Sequence, residues 1–163
     1  GKAGRGSENK VPFVAAVSLD EKGHPRHLKL NMVSGFTSQA IATWAKANLA
    51  PGACVTSDGL GCFAAVVDAG CTHQPVVVGA LKPRDLPNFR WVNTVLGNLK
   101  TSLAGTFHSL NFRKYAQHYL GAFAYRFNRR FDLRGLVARL VVDVARALPS
   151  PEKLVRMNAE AHC

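Results

Sequence analysis

The spacing of apolar and polar positions along the chain changes several times, and each change predicts an element. Pro12 to Leu19 (Pro-Phe-Val-Ala-Ala-Val-Ser-Leu) is nearly continuously apolar and reads as a buried strand, closed by the turn residues Asp20-Glu21-Lys22-Gly23. His24 to Met32 then alternates, with His27, Lys29 and Asn31 against Leu28, Leu30 and Met32, so a half-buried second strand pairs back on the first as a hairpin. Thr37 or Ser38 can cap a helix running to about Asn48, with Ile41, Trp44, Ala45 and Leu49 on one face, and Pro51-Gly52 ends it. A short strand from Ala53 to Thr56 delivers Asp58-Gly59 to its carboxyl end. A short helix from Phe63 to Val67 and a strand from His73 to Val78 complete an alternating β/α segment.

Gly79 to Arg90, with Pro83, Pro87, Lys82, Arg84 and Asp85, breaks the pattern and predicts a loop. Beyond it the period is helical: Trp91 to Leu103, Phe112 to Phe131, Leu133 to Leu148 and a short piece after Pro151. Phe112, Tyr115 or Ala116, Tyr119 or Leu120, Phe123 and Phe127 recur every three to four residues, the period of a stripe that faces a core. Leu133, Leu136, Val137, Leu140, Val141, Val144 and Leu148 repeat that period, so a second core-facing stripe is expected.

At 163 residues and 47% hydrophobic content the chain suits one domain with its own core. The organisation expected is a flexible basic arm over residues 1–10, a domain over 11–148 and a tail over 149–163. A net charge of +11 favours a polyanionic partner, without choosing among DNA, RNA and an anionic membrane surface. Cys54, Cys62, Cys71 and Cys163 form no CxxC pair and the histidines no HExxH, which gives no support to a structural zinc site or a zincin; buried thiols in a reducing cytosol are expected. Nothing approaches the length of a membrane span and no signal peptide leads the chain, so a soluble cytoplasmic protein is expected. The opening Gly1-Lys2-Ala3-Gly4-Arg5-Gly6 lacks an initiator Met, which suggests a fragment; Gly4-x-Gly6 follows no strand and is a poor phosphate loop.

Candidate chemistry gathers at three places. Asp58, at the carboxyl end of a strand, would project into the crevice where α/β folds bind ligands, with Gly59 permitting a tight turn; its alternative is a turn or N-cap aspartate. Asn93 and Lys100 lie seven positions apart, two helical turns, and so share a face near Thr94, Gly97 and Thr101. An Asn carbonyl can ligate a hard cation and a Lys ammonium can hold a phosphate, while the alternative is a solvated polar face. One carboxylate with such a helix has the layout of a metal-dependent nuclease or strand-transfer site, short of the several oxygen ligands that two-metal phosphoryl chemistry needs. Arg113, Lys114, Arg126, Arg129, Arg130 and Arg134, interleaved with tyrosines, suit contact with backbone phosphates or a plain solvated face. His108, after Gly105, could approach the same crevice or sit in a turn. No GxSxG or reactive-Cys pattern supports acyl transfer.

These motifs carry a resemblance. Val55-Thr56-Ser57-Asp58-Gly59, Asn93-Thr94-Val95-x-Gly97-x-Leu99-Lys100, Leu103-x-Gly105-Thr106-Phe107-His108 and Tyr119-Leu120-x-x-Phe123-x-Tyr125-Arg126-Phe127-Asn128-Arg129-Arg130 resemble the catalytic domain of bacterial insertion-sequence transposases. Within the DDE superfamily the chain is similar to the branch whose motif reads Asp-Asp-Asn-Lys, and Gly4-Arg5-Gly6-Ser7-x-x-Lys10-Val11-Pro12 matches that branch too. The resemblance implies an α/β, RNase H-like fold: a mixed sheet flanked by helices, here with the first strand missing, and a C-terminal helical extension. It implies Asp58 as the second catalytic acid, Asn93 in the place of the third, Lys100 as the accompanying lysine, and Mg²⁺ held through Asp58 and Asn93. It further implies cutting and joining of DNA ends by a homo-oligomer. No residue matches the family's first catalytic Asp, so a truncated, inactive transposase domain is the expectation, and a non-enzymatic nucleic-acid-binding module the competing one.

Overall fold

In the computed structural model of the protein, residues 10–79, 81–82, 85–107, 111–153 and 155–156 are described. Residues 1–9 of the expected 1–10 arm, His108, Cys163 and most of the tail lie outside them, as do Ala80, Pro83 and Arg84 of the expected loop.

Strand β1 (Phe13–Leu19) pairs antiparallel with β2 (Pro25–Met32), Val14 opposite Asn31 and Val17 opposite Leu28, which is the hairpin the alternation predicts. Asp20 fixes the turn: its carboxylate accepts the backbone N–H groups of His24, at 2.8 Å, and Lys22, at 3.0 Å. Those bonds, the one from His24 first, hold its pKa below the ordinary carboxylate value. Helix α1 (Ser38–Asn48) follows, with Thr37 Oγ1 accepting from Ala40 N as the N-cap. Strand β3 (Cys54–Ser57) then pairs in parallel with β4 (Thr72–Pro75) across a 3₁₀ helix, Gly61–Ala69. A 3₁₀ turn at Pro87–Phe89 leads into α2 (Arg90–Thr106); α3 (Phe112–Asn128), bent at Tyr115, and α4 (Leu136–Arg146) follow, with further helical residues at 152–153 and 155–156.

The strands form two separate ladders, β1–β2 and β3–β4. Both share apolar surroundings. One cluster joins Val14 and Ala16 of β1 to Ile41, Trp44 and Ala45 of α1, Val66 of the 3₁₀ helix and Val55 of β3. The other joins Leu28 and Leu30 of β2 to Val95 and Leu99 of α2 and Leu120 of α3, with Phe13, Ala15 and Val17 of β1 packed against it. Strand β1 is therefore covered on both faces, which explains its unbroken apolar sequence.

Among the described residues its hydrogen bonding is one-sided. Val33 N donates to Pro12 O, so Val14–Asn31 and Ala16–Lys29 are the bonded pairs and the main-chain groups of Phe13, Ala15 and Val17 face away from β2. The same alternation turns Leu28 to the outer edge of β2, where the Asn128 side chain accepts from Leu28 N at 2.7 Å and donates to Leu28 O at 3.0 Å. Gln117 Oε1 accepts from Met32 N further along, so α3 covers that edge with side-chain amides.

The structure departs from the expected stripe in α4. Val137, Leu140, Val141 and Val144 are at least half exposed, and the helix meets α3 through its polar flank. The reason is local. Arg139 pairs with Asp132 and Asp143 accepts from Tyr125 Oη at 3.3 Å, so polar contacts orient the helix and leave the apolar face outward.

Candidate catalytic crevice and basic helix

Asp58 follows β3 directly, as expected, and is half-buried. Its carboxylate accepts from Leu60 N at 3.3 Å, so it does organise the local turn, and Gly59 adopts φ +77° beside it. A Cβ at Gly59 would meet the backbone of Val76 and Val77 at 3.4 Å, so glycine serves both the left-handed conformation and the close passage of the chain after β4.

Beside Asp58 the buried hydroxyl of Ser57 lies 2.9 Å from His73 Nε2 across the parallel ladder. This polar pair was not legible in the sequence. Ser57 and His73 are brought together by the β3–β4 register, and parallel pairing between short strands leaves no local signature.

Asn93 and Lys100 both occupy the exposed face of α2, two turns apart, while Val95 and Leu99 turn inward. Their sharing of a face is as the spacing predicts. Helix α2 packs on β1, whereas the Asp58 carboxylate accepts from Leu60 N within its own turn. The described residues contain no group of three or more His, Cys, Asp or Glu side chains arranged to hold a metal ion. One carboxylate and one amide fall short of the roughly six oxygens around Mg²⁺, so these residues do not by themselves make a site for that ion.

The basic side chains of α3 divide by environment. Arg113 and Arg126 are exposed, with Arg126 donating to Ser102 Oγ at 3.1 Å, and Lys114 lies 5.6 Å from the centre of the Tyr115 ring. Arg129 stacks over Tyr125 at 3.6 Å, with its Nε buried and unbonded. Arg130 is turned inward: it donates to the carbonyls of Pro25, Arg26 and Phe127 and lies 3.9 Å above the Phe127 ring, and burial lowers its pKa. It ties the end of α3 to the start of β2.

No helix among the described residues is long and apolar enough to cross a membrane. No curated protein and no solved structure matches the chain. A family model does: that of the ISXO2-like transposase domain matches residues 1–128, which takes in both ladders, α1, α2 and α3 and stops short of α4. The chain thus belongs to the ISXO2-like transposase domain family, a family of insertion-sequence transposases.

Proposed function

We propose that the protein cuts and joins DNA ends as the transposase of an insertion sequence, with Asp58 as a catalytic carboxylate, Asn93 in the position of a further acid and Lys100 as a phosphate-holding cation. The family match over residues 1–128 carries this reading. The position of Asp58 at the end of β3, inside the matched region, supports it, since strand ends are where α/β sheets present ligand-binding groups.

An RNase H-like sheet of the Asp-Asp-Asn-Lys branch fits the same observations. Strand β1 is buried on both faces yet bonded on one edge, and Val14 and Ala16 share a cluster with Val55 of the other ladder. One extended segment lying between β1 and β3 would satisfy the outward groups of Phe13, Ala15 and Val17 on one side and of Cys54 and Thr56 on the other. The oxygen donors that Asp58 and Asn93 lack would come from that segment and from DNA phosphate. The test is a strand-transfer assay on the protein expressed from its complete reading frame. Joining that requires a divalent cation is the expected result, and equal joining in excess chelator would overturn the metal-dependent reading.

DNA is the proposed partner, met by Arg113, Lys114 and Arg126 on α3, while Arg129 and Arg130 hold the helix end that presents them. Replacing Arg113 and Arg126 together by Ala should weaken binding to duplexes of any sequence and make the salt dependence shallower by about 2 in log K against log salt. An unchanged slope would remove these side chains from the interface.

A further inference from the structure

We propose that the polar groove along the outer edge of β2 takes an unpaired nucleobase of the DNA strand whose phosphates meet α3. The inference rests on DNA as the partner. The groove, about 530 Å³, lies between the end of β2, α1 and α3, and its polar lining is Asn31, Ser34, Gln39, Thr43, Asn48 and Gln117. That volume is in the range of small-ligand sites, about 300–1,000 Å³. Among the described residues no charged side chain lines it, in a chain with 21 Lys and Arg. A groove without charge offers little to a phosphate, whereas a base is uncharged and carries donors and acceptors on its edges.

Three amides of the lining are held by the fold, and the chemistry of each partner decides which end is held. An indole N–H only donates, so the atom 3.2 Å from Trp44 Nε1 is the oxygen of Asn31, which leaves its Nδ2 donors for a ligand. Met32 N also only donates, so it holds Gln117 by Oε1 and leaves Nε2. Asn48 is held the other way: its Nδ2 donates to Trp44 O at 2.9 Å, and Oδ1 is left to accept. Among the described residues none of these three ends has a partner. Donors from two side chains and an acceptor from a third suit the mixed edge of a nucleobase, and fixing them in advance lowers the ordering cost of binding. The cations stand beside the groove rather than in it. Arg113 is exposed and precedes Gln117 on α3 by four residues, about one helical turn. A strand held by a phosphate at Arg113 has the groove one turn away for its base.

Fluorescence anisotropy on the full chain tests the proposal with a blunt duplex, the same duplex carrying a single-stranded extension, and the extended duplex with abasic sites in place of the extension's bases. The base-bearing extension should bind roughly 10-fold more tightly than the abasic one. Gln117→Leu removes a free amide end, and Ala47→Leu fills the groove from an exposed position on its wall. Each should abolish that preference and leave blunt-duplex affinity and circular dichroism at parental values. Arg113→Ala with Arg126→Ala should instead weaken all of the probes alike. Equal binding of the base-bearing and abasic extensions beside normal binding of the blunt duplex would overturn the groove proposal and leave the DNA reading standing, whereas no binding of any probe would overturn both. A preference that survives Ala47→Leu would place the bases elsewhere and overturn it. So would a preference abolished by free deoxynucleosides at about 100 μM, which would assign the groove to free nucleosides.

Discussion

Asp58→Ala should lower divalent-cation-dependent strand transfer by roughly 10³-fold, several kcal/mol of transition-state stabilisation at 1.36 kcal/mol per tenfold. Asp58 also accepts the Leu60 N–H, so the alanine variant removes a turn contact as well as a charge. Asp58→Asn separates the two. An amide oxygen can still accept from Leu60 N, so the turn and the unfolding midpoint should persist while the carboxylate is lost. Equal loss of activity in both variants, with the Asn variant as stable as the parent, assigns the effect to charge. Parental activity in Asp58→Ala would end the catalytic reading and leave Asp58 as a turn residue.

The second large effect is on stability. Leu28→Ala should destabilise the protein by about 3 kcal/mol, read as a lower urea midpoint with unchanged slope. Leu28 is fully buried at the centre of β2 against Val95, Leu99 and Leu120, so truncation leaves a cavity between the strand and two helices. Leu28 is also the residue whose main chain Asn128 clamps, which keeps the strand from shifting to fill the space. For a domain stabilised by about 5–15 kcal/mol this is a large share. Leu19→Ala, at a half-exposed position on the end of β1, should cost about 0.5 kcal/mol or less. Equal losses at the two positions would contradict the placement of the second apolar cluster.

These contrasts show which parts of the fold could be read from the residues. The β1–β2 hairpin followed from local alternation and a turn stabilised by Asp20, and α1 from its cap and its Ile41, Trp44, Ala45 face, because period and turn chemistry act within a few residues. Asp58 at a strand end and Asn93 with Lys100 on one helix face were legible for the same reason. What was not legible depends on distant partners. Strand β4 ends at Pro75 rather than Val78, and the segment from Gly61 to Ala69 winds as a 3₁₀ helix. Pro75 falls on the side of β4 turned away from β3, where its missing N–H costs no ladder bond. Period alone located the apolar stripe of α4 but could not say which way it faces, since Asp132 and Tyr125 decide that from outside the helix. Arg130 read as one more surface cation, yet the carbonyls at the start of β2, far off in sequence, draw it inward.

The clamp of Asn128 and Gln117 on β2 bears on how this hairpin can meet another strand. Edge-to-edge growth of a sheet needs an open row of main-chain donors and acceptors on both sides, and at Leu28 and Met32 the outer row is already occupied by side-chain amides. Addition through β1 alone adds one strand and then stops at that ladder. The hairpin is thereby a one-sided acceptor, able to receive a strand without seeding a fibre through β2.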